Sequence, residues 1–148
     1  VMKRILLPIC LLILWTGCKQ DELPNDILSP IPQISLIDVS PTSVQALDDE
    51  IRFEVQYQDG DGDLGSSDDT KNLFIQDLRI DNPHTFHLQQ LAPDGANVPI
   101  QGTFVVTLPF TILTDNANEQ NVRFEIYVVD RAGNQSNILT TPEIVVSK

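Results

Sequence analysis

Residues 51–57 read Ile-Arg-Phe-Glu-Val-Gln-Tyr, and this stretch decides the fold because its apolar and polar side chains alternate strictly. Residues 122–128, Val-Arg-Phe-Glu-Ile-Tyr-Val, repeat the alternation. Successive side chains of an extended chain point to opposite sides, so a period of two places the apolar side chains on one face. Both stretches are also rich in β-branched and aromatic residues. They predict two strands, each with one face in the core.

Five less regular segments complete the predicted set of strands, and clusters of Pro, Gly, Asn and Asp separate them. No window of the chain sustains the i, i+3, i+4 spacing of an amphipathic helix. We therefore predict an all-β fold, an antiparallel β-sandwich of about seven strands over residues 33–148. The five further segments are residues 33–39, 73–80, 85–91, 102–108 and 138–146.

Two motifs follow the alternating strands. The first strand runs into Asp-Gly-Asp-Gly-Asp-Leu-Gly at residues 59–65, and the second runs into Asp-Arg-Ala-Gly-Asn-Gln-Ser-Asn at residues 130–137. With these motifs the chain resembles bacterial immunoglobulin-like domains of the fibronectin-III, cadherin and PKD kind. The resemblance implies an immunoglobulin-like β-sandwich for residues 33–148. The Cys–Trp–Cys pattern of antibody domains is missing, since the single Trp of the sequence is Trp15.

The first motif has the spacing of a cation site. Asp59, Asp61 and Asp63 place carboxylates at every second position, and the intervening glycines permit tight wrapping. Converging carboxylates repel one another, and hard oxygen ligands of this kind suit Ca²⁺. The spacing is not that of an EF-hand, because Leu64 stands where that loop requires Gly. The alternative is a solvated Asp-Gly turn whose charges point into water and need no metal.

Four further side chains extend the predicted calcium site. If the sandwich forms, the loops that follow the two alternating strands share one end of it, which brings Asp130 and Asn134 near the first motif. Asp68 and Asp69 follow that motif in the sequence and are additional candidate ligands. We therefore predict Ca²⁺ as the cofactor and assign no residue a catalytic role.

Residues 1–17 have the composition of a signal peptide. Lys3 and Arg4 precede an eleven-residue apolar run, and two small residues then lead into Cys18. The run is too short to span a bilayer, which requires about 20 apolar residues. Its ending resembles the lipobox of bacterial lipoproteins, which implies that Cys18 carries the lipid. Two or more acyl chains hold a protein stably on a membrane.

Residues 18–32 form the predicted tether, which has three Pro residues and therefore favours an extended conformation. Its first residues after the cysteine, Lys19-Gln20-Asp21-Glu22, resemble the acidic export signal of Bacteroidota lipoproteins. This resemblance implies an outer-membrane protein on the cell surface, and a periplasm-facing anchor is the alternative. The formal net charge of −12 repels phosphate backbones, so nucleic acid is excluded as a partner.

These features favour a membrane-anchored binding, adhesion or scaffold module that recognises a protein or a glycan and performs no catalysis. The sequence contains neither a P-loop nor a GxSxG motif. His84 and His87 are three residues apart on a predicted strand, where they would point to opposite faces and share no metal. Two alternatives stay open: a small envelope hydrolase or sugar-processing enzyme with its site on the loops, and a structural accessory subunit of an outer-membrane complex.

Overall fold

The computed structural model describes residues 28–148, so the predicted signal peptide, Cys18 and most of the tether lie outside the described residues. The described chain is all-β and contains no helix, and none of it could cross a membrane as a long apolar helix. The all-β prediction is confirmed. The ten strands are β1 (Gln33–Ser40), β2 (Ser43–Gln45), β3 (Ile51–Asp59), β4 (Leu73–Asp77), β5 (His84–Phe86), β6 (Ile100–Leu108), β7 (Glu119–Val122), β8 (Phe124–Val128), β9 (Leu139–Thr140) and β10 (Ile144–Ser147).

The strands form three hydrogen-bonded sheets. The first has the order β1-β3-β6, and the second has the order β5-β4-β8-β9; both are antiparallel. In the third, β10 pairs antiparallel with β7 and parallel with β2. Since β7 and β8 are consecutive along the chain, the second and third sheets adjoin there.

All seven predicted segments contain strands, but the structure divides two of them and adds a short strand. Arg123 separates β7 from β8, and β9 ends before Thr141, whose hydroxyl accepts a hydrogen bond from the main-chain N–H of Phe124. Pro142 follows and has no N–H to donate to a sheet. The prediction for residues 73–80 was too long, because the chain turns after Asp77, whose carboxylate accepts the N–H of Arg79. Strand β2 was missed because three residues are too few for a periodic signal.

One hydrophobic core joins the three sheets. The apolar side chains of β3 and β8 that alternate in the sequence are buried, as predicted from their period of two. Phe53 of β3 and Phe124 of β8 meet edge to face, with ring centroids 5.6 Å apart. This aromatic contact lies between the sheets and fixes the beginning of β3 opposite the beginning of β8.

The contacts define two ends of the molecule. At one end, β3 finishes at Asp59 and leads into the Asp-Gly loop, next to the turn that follows β8; we call it the Asp59 end. At the other end, β3 begins and β6 finishes, since Ile51 pairs with Leu108. The main-chain N–H of Leu47 donates to Thr111 there, and we call it the Leu47 end. The nine residues of β3 separate the two ends by roughly 26 Å.

Candidate metal centre

Asp59 is buried because it continues the alternation of β3. Residues 51, 53, 55 and 57 face the core, and the next inward position is Asp59, which is 0% exposed. Its Oδ2 atom accepts a hydrogen bond of 2.9 Å from the main-chain N–H of Leu64. The strand therefore carries a carboxylate into the edge of the core, and the loop that follows folds back over it.

Two glycines allow this loop to fold tightly. A Cβ atom on Gly60 would lie 2.1 Å from the carbonyl oxygen of Leu28, and one on Gly62 would lie 2.3 Å from that of Val98. Gly62 also has a positive φ of 74°, which other residues rarely adopt. The main-chain N–H of Gly60 donates to Ser29 at 2.8 Å. The Asp-Gly repeat is thus a steric requirement of a loop pressed between two other segments.

The loop brings the three aspartates of the motif together. One carboxylate oxygen from each of Asp59, Asp61 and Asp63 lies within 4.8 Å of the others. The Oδ1 atom of each is buried and receives no hydrogen bond from residues 28–148. A buried carboxylate oxygen without a partner is costly, because the charge has lost its water and gained nothing in return. Three carboxylates this close together form a strongly anionic group.

Burial and mutual repulsion raise the pKa values of Asp59 and Asp63. Burial is the largest of the causes that together raise the pKa of Asp59 to about 6. The side chain of Asp61 and the charges of Asp61 and Asp63 act in the same direction, and the main-chain N–H of Leu64 acts in the opposite direction. Burial likewise raises the pKa of Asp63, and so do the carboxylates of Asp130 and Asp61. The ordinary remedy for such a group is a positive charge placed among the carboxylates.

Asp130 and Asn134 lie beside this group, as the sequence predicted, but they bind each other. The Asp130 carboxylate accepts the main-chain N–H of Asn134 at 2.7 Å and its side-chain amide at 2.9 Å. The turn they form holds Asp63, whose Oδ2 accepts the N–H of Ala132 at 3.0 Å. The loops after β3 and β8 therefore do share one end of the molecule. The carboxylate of Asp130 is not one of the three in this group, but its negative charge acts on Asp63.

The two additional candidate ligands lie away from the three aspartates. Asp68 and Asp69 are exposed, and the Oδ1 atom of Asp68 accepts the main-chain N–H of Thr70. That hydrogen bond and the Thr70 side chain hold the pKa of Asp68 below its usual value. Both residues belong to a solvated turn, which is the alternative that the sequence left open for the motif as a whole.

Arg131 is part of the site and was not singled out from the sequence. Its guanidinium donates to the carbonyl oxygens of Gly65 at 2.9 Å and Gly62 at 3.4 Å, and it lies 3.7 Å from the carboxylate of Asp94. Its main-chain N–H donates to the carbonyl of Asp63. The signal available in the sequence was a basic residue directly after Asp130, in the motif of residues 130–137. Arg131 holds the Asp-Gly loop in place through hydrogen bonds to the loop's main-chain carbonyls. It also lowers the pKa of Asp63, but only weakly.

The arrangement is suited to a divalent cation. Three carboxylates supply hard oxygen ligands, and a cleft of about 230 Å³ lined by Asp61, Asp63, Asn97 and Arg131 reaches the site from solvent. Binding a cation is the chemistry that these residues support.

Comparisons with known proteins leave the site to be interpreted from its own geometry. No family model and no curated protein matches the sequence. Among solved structures, the chain is similar to the X-ray structure of Northeast Structural Genomics Consortium target SoR45, with 11% sequence identity and a TM-score of 0.30 over 79% of this chain and 83% of that chain. A similarity this weak carries no argument about fold or function.

Proposed function

We propose that the protein is a lipid-anchored, surface-exposed binding module of the outer membrane, in which Asp59, Asp61 and Asp63 hold one Ca²⁺ ion. The observation that carries the calcium site is the set of three buried Oδ1 atoms that receive no hydrogen bond within the described chain. Two Ca–O bonds of about 2.3–2.6 Å span up to about 5 Å, so a single ion reaches oxygens that lie within 4.8 Å of one another. Main-chain carbonyls and water would complete its shell.

An immunoglobulin-like sandwich is the finer form of this proposal. In such domains, two sheets pack face to face over one core. Here β1 pairs with β3 in one sheet, while β2 pairs with β10 on the other side. The order β5-β4-β8-β9 opposite β1-β3-β6 agrees with that plan. It also explains why the loops after β3 and β8 meet at one end.

The anchor rests on the sequence, since Cys18 lies outside the described residues. The first described residues, Leu28 and Ser29, lie against Gly60, so the chain that leads back to Cys18 departs from the Asp59 end. We expect labelled palmitate to be incorporated in bacterial cells and to be lost in Cys18→Ala. Surface exposure is checked by protease treatment of intact cells. Retention of label in Cys18→Ala, or complete protection from protease, would contradict the anchor or the surface location respectively.

Catalysis is not part of the proposal. The hydrolase alternative would be favoured by a histidine beside a hydroxyl nucleophile. His87 makes its hydrogen bond of 3.0 Å to the main-chain carbonyl of Ser66, not to a hydroxyl. His84 lies in β5 and lines a cavity with Asp77, Ile80, Phe110 and Thr111, and the Thr111 hydroxyl accepts a hydrogen bond from Arg79 rather than from His84. Neither contact favours the enzyme, and the accessory-subunit alternative differs from a binding module only in the permanence of its partner.

Calcium binding is tested by titration calorimetry together with thermal unfolding in millimolar Ca²⁺, in Mg²⁺ and in EDTA. We expect a dissociation constant of roughly 10⁻⁴–10⁻³ M, as for extracellular modules. Millimolar Ca²⁺ then adds about 1 kcal/mol and raises the melting temperature by about 3–5 °C. The response should disappear in Asp61→Asn and persist in the matched control Asp69→Asn, whose carboxylate is exposed. An equal response in Asp61→Asn, or none in the wild-type protein, would reject the site.

A further inference from the structure

We infer that the Leu47 end is the partner-binding surface, and that it takes a protein segment in which an apolar side chain is flanked by basic residues. The inference rests on the proposed role as a binding module, but not on calcium, because the Leu47 end lies at the opposite end of β3 from Asp59. It is carried by an exposed and strained leucine, an exposed phenylalanine beside a cavity, and a surrounding set of acidic residues.

Leu47 combines two unfavourable features. It is 70% exposed, although it is a large apolar residue, and it has a φ of 67° in the left-handed region, where such residues are rarely found. Its conformation is held on both sides: its N–H donates to Thr111 at 2.9 Å, and the Asp49 carboxylate accepts the N–H of Gln45. A glycine or an asparagine would suit this backbone better. An outlier of this kind points to function rather than to folding.

Phe110 is the second apolar residue at this end. It is 44% exposed, and the residue that follows it, Thr111, accepts the N–H of Leu47. Phe110 lines a cavity of about 100 Å³ together with Ile80, His84 and Ile112. That volume admits a side chain rather than a whole small ligand.

The residues beneath this surface are held in place by an ion pair and hydrogen bonds. The guanidinium of Arg79 is only 15% exposed and donates to the carbonyl oxygen of Ile112 at 2.9 Å and to the hydroxyl of Thr111 at 3.3 Å. It is held in turn by Asp77, at 2.7 Å. A surface fixed in advance loses less conformational freedom on binding, which favours recognition of a partner.

The charges around the apolar residues select the partner. The exposed carboxylates of this end are those of Asp48, Glu50, Asp81 and Asp115, on the three loops that meet there, and that of Glu119 at the start of β7. The basic residues nearby are engaged: Arg52 pairs with Glu54, Arg123 pairs with Glu143, and the ammonium group of Lys148 donates to Asn116 and Asn118. An apolar centre inside an acidic rim complements an apolar side chain between lysines or arginines. The same rim repels anionic lipid headgroups and a second copy of this acidic chain.

The test is a selection from a library of random peptides on the full chain, immobilised through its N-terminal segment. We expect the enriched peptides to carry an aromatic or aliphatic residue flanked by Lys or Arg. Their affinity should fall at least tenfold in Leu47→Gly and in Phe110→Ser, and it should not change in Ile138→Ser, which removes a side chain of similar exposure outside this surface. Raising the salt concentration should weaken binding through the acidic rim.

Leu47→Gly separates a binding role from a structural one. Because glycine relieves the positive φ, its melting temperature should equal or exceed that of the wild-type protein while peptide affinity is lost. Enrichment of acidic peptides, no enrichment, or unchanged affinity in Leu47→Gly would overturn the inference. So would self-association in sedimentation, or flotation with phosphatidylglycerol vesicles, if either depends on Leu47. Calorimetry with Ca²⁺ is independent of these results, so the two proposals fail separately.

Discussion

Asp59 and Asp77 are the last residues of two strands, and both are buried, yet their environments are opposite. Asp59 is 0% exposed and has an oxygen that receives no hydrogen bond from the described residues. Asp77 is 1% exposed, and Arg79 satisfies both of its oxygens, with contacts of 2.9 and 3.0 Å to Oδ1 and 2.7 Å to Oδ2. One carboxylate has its counter-charge inside the chain, and the other has carboxylates for neighbours.

This difference distinguishes a buried charge that serves the structure from one that serves a function. A buried ion pair contributes little net stability, because desolvation offsets the attraction, but breaking it is costly. A buried carboxylate among other carboxylates lowers stability by its presence, so a chain that retains it gains from something else that binds there. The stabilities of the two sites should therefore respond with opposite sign to loss of charge.

The largest effect is expected at Asp77, whose charge is balanced by Arg79. Arg79→Met removes the charged partner of Asp77 and three further hydrogen bonds, to Gln120, Thr111 and Ile112, so unfolding should become easier by about 3–5 kcal/mol. The loss should be the same in Ca²⁺ and in EDTA, because the Asp59 end is not involved. Urea unfolding followed by circular dichroism measures it. A loss below about 1 kcal/mol would mean that the Asp77 pair is solvated in solution, like a surface pair.

The second effect has the opposite sign. Asp59→Asn keeps an oxygen to accept the N–H of Leu64 but removes a buried charge from the group of three. In EDTA, the variant should be more stable than the wild-type protein by about 1–2 kcal/mol, because the carboxylate no longer has to be desolvated and held beside Asp61 and Asp63. Asp77→Asn is the matched control and should be destabilising. Destabilisation by both substitutions in EDTA would remove the distinction between the two aspartates.

A third effect follows from the pKa of Asp59, which burial raises to about 6. Because the folded protein binds this proton more tightly than the unfolded chain, its contribution to stability is complete below pH 4 and is lost as the pH rises through 6. In EDTA, the free energy of unfolding should therefore increase by about 1 kcal/mol from pH 7 to pH 5. Urea titrations at several pH values measure this.

The control for the pH effect is Asp59→Asn, which should lose most of the increase. In Ca²⁺ the trend should weaken or reverse, because protons and the cation compete for the same oxygens. A wild-type protein in EDTA whose stability is flat or falls between pH 7 and pH 5 would show that Asp59 titrates like an ordinary exposed carboxyl group.

The sequence predicted much of this comparison, and its failures are local. The alternation in residues 51–57 predicted a strand, but the prediction ended it at Tyr57, because Gln58 and the Asp-Gly pair that follows look like a turn. The structure extends the strand to Asp59, and this extension is what buries the carboxylate. The signal was present, since residue 59 continues the inward series of residues 51 to 57.

Other features depended on contacts between distant residues and had no periodic signal. Asp130 and Asn134, which the sequence predicted as ligands, form a tight turn through two hydrogen bonds from Asn134 to the Asp130 carboxylate, and this pairing had no signal in the sequence. The hydrogen bonds from the Arg131 guanidinium to the carbonyls of Gly62 and Gly65 join residues that are more than sixty positions apart in the sequence. The meeting of the two loops was predictable from the sandwich plan, whereas the use of each oxygen was decided by local geometry.

The smallest effect is expected at an exposed ion pair, which can be compared with the buried pair of Arg79 and Asp77. Arg123 and Glu143 lie 2.9 Å apart, as close as the buried pair to within a few tenths of an ångström, but their side chains are 54% and 51% exposed. Arg123→Met should therefore cost only about 0.5 kcal/mol in low salt and nothing measurable in 0.5 M salt, since water and ions screen the pair. If this variant lost as much stability as Arg79→Met in parallel urea titrations, contact distance rather than burial would govern these pairs. The contrast between Asp59 and Asp77 would then need another explanation. The difference is assigned to burial and charge: both carboxylates are shielded from water, and only Asp77 has a cationic partner beside it.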